Sequence, residues 1–296
     1  MKFKYGLDDM PPLMHLLAFS LQWLAITVPI ILIVGKVVAA THSANPTEQT
    51  LYLQRLFFVV SISLLAQTLA GHRMPLIVGP ATVLLIGITA SKASGGSIVY
   101  SSMLIGGLTL ALLGFTGLFA RLRSLFTSRV VATILVLIAF TLTPMILNLI
   151  ISPSGKAGPF GNLVFALIFV LSIFVVAKYV TGIWKSTLIL WATICGSMVY
   201  LAIFGEQLSA GTDSAYFAGF FHSVNFKFTF DPGVLLAFLI CFLALSVNDL
   251  GSIQSVGEML KPDNMQHRIT RGITFTGLLN VLAAIFGVIG PVNFSL

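Results

Sequence analysis

Charge is scarce in this chain. Only 8% of its 296 residues are Asp, Glu, Lys or Arg, and the acids number nine. Soluble domains run near a quarter charged, so a soluble globular reading fails at once. The formal charge of +7 is no nucleic-acid footprint, because the basic residues stand singly between apolar runs. Cysteine is nearly absent. Cys195 and Cys241 both sit in apolar runs and give neither a disulfide framework nor metal-ligand spacing. No Gly-rich phosphate loop, zinc motif or nucleophile–base pair occurs in any loop, so nothing in the sequence supports an enzyme or a bound metal. A cleavable signal peptide is not expected either: the first apolar run is too long and no small-residue cleavage site follows it.

What remains is apolar. The chain is 57% hydrophobic, with a mean hydropathy of +1.02. Repeated apolar runs of about 20 residues read as membrane-spanning helices, so the fold class is an all-α polytopic membrane protein with the lipid bilayer as its solvent. Nine spans and the start of a tenth are predicted, at 14–38, 51–70, 74–91, 98–119, 130–152, 162–180, 183–204, 232–260 and 269–289. Turn-rich SKASGGS (91–97) and SPSGKAGPFG (152–161) separate several of them. With the N-terminus inside, eleven of the 16 Lys and Arg fall on the inner side and five (Lys36, Arg55, Lys92, Lys156, Lys227) on the outer. The positive-inside rule therefore predicts a cytoplasmic N-terminus. The longest outer loop, 205–231, alternates Val224, Phe226, Phe228 and Phe230. That pattern fits an interfacial aromatic belt or a short strand, and the belt is preferred.

Eight of the nine acids lie in loops or near span ends, while Asp249 lies deep. If span eight is helical from Pro232, Asp249 stands about 26 Å along it at ~1.5 Å per residue. An intramembrane carboxylate is costly and marks a function by default; the alternative is a residue solvated at the inner interface. Asn248, Ser252, Gln254 and Ser255 are near neighbours. Asn248, Ser252 and Ser255 share one helix face, and Asp249 borders it.

A second unusual stretch is GHRMPLIVGPATVLLIG, 71–87. Pro80 has no N–H to give a helix, and Gly79 before it is biased away from helix. The expectation is an extended 75–79 followed by a half-helix that begins near Pro80 and aims its N-terminal dipole into a cavity. A proline kink between packed helices is the alternative. Gly290-Pro291 near the chain end echoes Gly79-Pro80, and paired interruptions point to a transporter site between inverted repeats. Gln22 in span one is helix glue or a site residue. All five histidines flank spans, so a His-based proton relay is not expected. Gly106, Gly107, Gly114 and Gly117 suit close helix packing.

These residues resemble the nucleobase–ascorbate transporter family, the uracil/xanthine permeases. YGLDDMPPL (5–13) resembles the family's opening, and LQWLAI (21–26) its span-one Gln-His motif, with Trp23 in place of His. MPLIVGPATV (74–83) resembles the broken third span, SVNDLGS (246–252) the span-eight motif, and RITRGITFTGLLNVLAAIFG (268–287) the segment after it. The resemblance covers essentially the whole chain. It implies two inverted seven-span repeats, fourteen spans in all, with antiparallel strands in spans three and ten meeting at the substrate. On that basis 1–13 is a cytoplasmic N-terminus, 14–204 the first repeat, 205–231 an extracytoplasmic loop and 232–296 an incomplete second repeat. About nine complete spans of the fourteen would be present.

The implied function is secondary transport of a nucleobase such as uracil, xanthine or urate, in the inner membrane of a bacterium. Coupling would be to a proton or sodium ion, with no other cofactor. The substrate set would be Asn248, Ser252, Ala81, Thr82 and Gln22, with Asp249 as the coupling-ion seat. The family's Glu aligns with Asn248 and its Asp/His with Ser252, so this chain departs from the pattern by placing its acid one residue on. The remaining partner would be a second copy or the missing C-terminal half. The alternatives are a sulfate-type anion transporter of the same architecture, or a non-transporting membrane subunit or fragment.

Overall fold

The computed structural model describes residues 5–7, 9–117, 158–205 and 227–294, with scattered positions between 133 and 151. The predicted span 130–152 and most of loop 205–231, including Val224 and Phe226, lie outside the described residues or nearly so. In chain order the elements are α1 (Leu13–His42), α2 (Pro46–Leu69), β1 (Ile77–Pro80), α3 (Thr82–Ala90) and α4 (Gly96–Phe115). These are followed by α5 (Gly158–Tyr179), α6 (Leu188–Phe204), α7 (Pro232–Leu260), α8 (Met265–Ile285) and β2 (Pro291–Phe294). Five of these helices are long and apolar enough to cross a membrane: α1, α2, α4, α5 and α7. The chain is a multi-pass membrane protein, and among the described residues its regular structure is helical apart from two four-residue strands.

Local chemistry sets several boundaries. Asn45 caps α2, its side-chain oxygen accepting from Thr47 N at 3.0 Å, with Pro46 in the first turn. That cap starts the helix earlier than the predicted 51. Asp231 does the same for α7, accepting from Val234 N at 2.9 Å ahead of Pro232. α8 stops at Ile285, earlier than the predicted 289, because Gly287 takes a left-handed φ of 64° and turns the chain into β2.

The chain divides into two compact units. One comprises 1–9, 29–138 and 215–296; the other comprises 10–28 and 139–214. In the second unit, Phe165 of α5 packs edge-on against Tyr200 and Phe204 of α6, and the Tyr200 hydroxyl donates to Asn162 at 2.8 Å. Gly196 leaves room there for the Phe169 ring.

In the first unit α4 and α8 pack closely and antiparallel. A Cβ on Gly107 would meet the Gly277 carbonyl and the Val281 amide at 3.0 Å, and one on Gly114 would meet Thr274. A Cβ on Gly277 would press on the Ala111 backbone, and one on Gly106 on the Phe242 ring of α7. Without a hydrophobic drive between helices in lipid, such close approach supplies the association. Gly117 differs from the expectation. It takes a φ of 68° and serves the turn after α4, and a Cβ there would meet nothing within 4 Å among the described residues.

Span three is broken as expected. β1 pairs antiparallel with β2 in the register Ile77↔Phe294, Val78↔Asn293, Gly79↔Val292 and Pro80↔Pro291. Two prolines face each other on the last rung, where neither has an N–H to give. The next bond therefore skips outward, from Ala81 N to Gly290 O at 2.8 Å. The helix begins at Thr82, two residues past Pro80.

Gly277→Leu should destabilise the first unit by about 1–3 kcal/mol, since the added side chain meets backbone that cannot yield. Gly96→Ala, whose Cβ meets only the Tyr100 ring at 3.9 Å, should be neutral. Thermal unfolding of both variants in detergent compares them.

Candidate functional site

Asp249 is fully buried in the first unit, and every group that touches its carboxylate is a donor. The Thr276 hydroxyl of α8 gives to Oδ2 at 2.7 Å. Asn293 of β2 gives twice to Oδ1, from its backbone N at 3.0 Å and from Nδ2 at 2.5 Å. An ionised carboxylate only accepts, so both oxygens are satisfied by this set. One side chain of α7 thereby holds α8 and β2 together.

The network continues on both sides. Gln67 of α2 donates from Nε2 to Thr276 Oγ1 at 2.9 Å and to the Gly272 carbonyl at 3.0 Å. The Met74 amide donates to His72 Nδ1 at 3.0 Å. That fixes the tautomer, so Nε2 carries the proton and donates to Asn293 Oδ1 at 3.2 Å. Asn280, one turn beyond Thr276, gives its amide to the Thr276 and Pro291 carbonyls at 2.8 and 2.9 Å. Its Oδ1 is buried without a partner and faces Gly290, where a Cβ would collide with it. Arg268 closes one end of the network by donating to the carbonyls of His72 and Arg73 at 3.1 and 2.8 Å.

Burial separates one of the five span-flanking histidines from the solvated position that its place in the sequence suggests. His72 flanks a span in sequence, yet it is fully buried. The chain doubles back after α2 through Gly71 and through Arg73 at φ 53°, which tucks the imidazole under the strand pair.

The structure joins most of the predicted site residues through one set of elements. α3 lies against α7, with Gly87 leaving room for Phe238 and Cys241. Ala81 is buried and caps α3 with its backbone, Leu84 N donating to its carbonyl at 2.9 Å, and among the described residues no side chain caps the helix's first N–H groups. Thr82 and Asn248 are half-buried and Ser252 is buried. None of these three side chains has a hydrogen-bond partner among the described residues. Ser255, on the same face as Asn248, is exposed. Gln22 is half-buried in the second unit. Phe228 and Phe230 are exposed.

Sequence reasoning missed Gln67, His72, Thr276, Asn280 and Asn293. The four-residue spacing of Gly272, Thr276 and Asn280 on α8 was the signal available for two of them. Among the described residues no group of three or more His, Cys, Asp or Glu side chains could hold a metal.

A family model described as the permease family, of the xanthine/uracil type, matches residues 14–295. The chain belongs to this family, the nucleobase–ascorbate transporters. It is 24% identical over 299 residues to the candidate purine permease YwdJ of Bacillus subtilis, covering 95% of this chain and 68% of that one. It is 26% identical over 249 residues to the nucleobase transporter PlUacP of Paenibacillus larvae, covering 78% and 56% respectively. The permease chain thus spans between about half and two thirds of the length of these relatives. Among solved structures, the transmembrane domain of a cyanobacterial bicarbonate transporter, BicA, shares the fold. Its TM-score is 0.60 at 15% identity, over 97% of this chain and 76% of that one. Permeases are transporters, and the chain is not an enzyme.

Thr276→Val and Asn293→Ala should each cost about 1–3 kcal/mol of stability, since each strips a buried carboxylate of donors. Asn293→Asp should cost more, because it sets a second carboxylate against Asp249. Ser255→Ala, on the exposed side of the same helix, should be neutral in the same unfolding assay.

Proposed function

We propose that this permease contributes to a nucleobase transporter of the uracil, xanthine or urate type, driven by proton or sodium symport in a bacterial inner membrane. One observation carries the reading. The uncapped start of α3, held by the β1–β2 pair, is joined to a helix that carries unpartnered Asn248 and Ser252 and fully ligated Asp249.

Each part suits a base edge. The free N–H groups that open α3 give donors with the positive end of the helix dipole behind them, suited to a ring carbonyl. The Asn248 amide both donates and accepts, as an alternating base edge requires. Ser252 and Thr82 add hydroxyls that can take either role. Ala81, buried and small, lets the backbone come close. Gln22 belongs to the second unit and stays a substrate candidate on its sequence motif alone. Names carried by relatives, a purine permease and a nucleobase transporter, point the same way.

Asp249 is the coupling seat on this reading. It is the fully buried acid among the described residues, and it ties together the elements that frame the substrate. A cation arriving at its carboxylate competes with the donors from Thr276 and Asn293. Loading therefore loosens the bonds that hold β2 on α7, which makes ion binding felt at the strand pair. The N-terminus is taken as cytoplasmic from the distribution of Lys and Arg. The repeat boundaries, 14–204 and 232–296, and completion of the site by further spans or a second copy belong to the same proposal. The sulfate-type alternative is disfavoured by a carboxylate at the centre.

In the complete transporter, Asp249→Asn should abolish uphill accumulation while substrate exchange persists. Asn248→Ala should weaken equilibrium binding by roughly 1–3 kcal/mol, the cost of leaving a buried polar group of the ligand unpaired. Concentrative uptake measured beside binding, with uracil, xanthine, urate and sulfate as competitors, separates the two. Wild-type accumulation by Asp249→Asn would reduce that residue to a structural tie.

A further inference from the structure

The end of the first unit where α1 finishes and α2 and α4 begin encloses a cavity of about 490 Å³. His42, Glu48, Tyr52, Arg55, Tyr100 and Lys227 line it. Glu48, Tyr52 and Arg55 are four and three residues apart, which places them on one stripe of α2.

Arg55 is the unusual group. A guanidinium has five N–H donors and no acceptor. Here one Nη donates to the Phe286 carbonyl at a long 3.3 Å, and Nε is buried with no partner. Among the described residues Arg55 has no carboxylate partner. Glu48 is two helical turns away, about 10 Å along the axis at ~1.5 Å per residue. Burying polar N–H groups unpaired is costly, and a charge-assisted bond to an anion is the strongest way to satisfy them.

The surroundings favour an anion as well. Lys227 brings a second cation to the rim. Its position is set by Ser101, whose hydroxyl donates to the Lys227 carbonyl at 3.4 Å and accepts from Thr229 N at 3.0 Å. The imidazole of His42 and the hydroxyl of Tyr100 share a hydrogen bond of 2.6 Å on the facing wall. The volume is within the range of small-ligand sites, ~300–1,000 Å³.

We propose that this cavity binds a phosphate-type oxyanion on Arg55 and Lys227, carried either by a free phosphate compound or by the headgroup of an anionic lipid. Its occupant would also lean on the transport centre. Tyr52 in the cavity wall accepts from the Ile289 amide at 2.9 Å, and Ile289 lies two residues before the strand that carries Asn293 onto Asp249. The proposal does not depend on which substrate the Asp249 site takes.

Thermal unfolding of the full chain in a neutral detergent tests it. The protein is titrated with inorganic phosphate and, separately, with phosphatidylglycerol. Sodium chloride at matched ionic strength and phosphatidylcholine are the controls. A saturable rise in melting temperature above the controls is expected from at least one titrant. A rise with inorganic phosphate identifies the free oxyanion as the source, and a rise with phosphatidylglycerol alone identifies the headgroup. Arg55→Gln should weaken the apparent affinity at least about tenfold. Lys227→Gln, at an exposed position that folding does not need, should weaken it as well. Lys92→Gln, a cation near this end that does not line the cavity, should leave it unchanged. No saturable rise above the controls, or one that both Arg55→Gln and Lys227→Gln leave intact, overturns the proposal.

Discussion

A single carboxylate organises the first unit. Asp249 takes donors from a helix hydroxyl, a strand amide and a strand side chain, all of them buried within the protein. Unpaired, the charge would be costly to bury, and removal of a partner leaves that cost exposed. The geometry of α7, α8 and β2 is therefore fixed by the need to satisfy two oxygens. Gln67 and His72 extend the same requirement to α2 and to the turn before β1. Broken spans are tolerated at membrane depth only where protein satisfies the freed backbone. Here β1 and β2 satisfy each other, and Asp249 anchors the pair.

Close packing makes that arrangement attainable. Asn280 reaches the Pro291 carbonyl because Gly290 has no side chain in the way. α8 can bring Thr276 and Asn280 inward because Gly107, Gly114 and Gly277 let it lie against α4. The facing prolines at Pro80 and Pro291 then end the ladder and let α3 start as a separate half-helix against α7. Polar satisfaction and small-residue packing thus serve one result: a helix start with open N–H groups beside a helix with open side chains.

Much of this was legible in the sequence because it rests on residues that are rare in their context. A lone deep acid in a chain with nine acids stands out, and Gly-Pro inside an apolar run has few meanings. The pairing of 77–80 with 291–294 follows from two such signals and the family resemblance. The rest was hidden for physical reasons. His72 sits at a span end, a place normally wet, and only the reversal of the chain after Gly71 buries it. Thr276 and Asn280 are single polar residues in a helix, indistinguishable from solvated or back-bonded ones until their neighbours are known. Asn293 acquires its meaning from the strand it sits on. Gly117 illustrates the opposite case: its neighbours in the glycine stripe pack helices, while among the described residues it turns the chain.

On the proposed reading, Asp249 both braces the strand pair and receives the coupling cation. Cation linkage of substrate affinity tests this most directly. Equilibrium binding of a radiolabelled nucleobase to the complete transporter would be measured across pH and across sodium concentration, for the native protein and for Asp249→Asn. The account predicts that native affinity changes with one of the two cations and that the variant's affinity is flat with both. A variant that binds substrate with the native protein's cation dependence would contradict it.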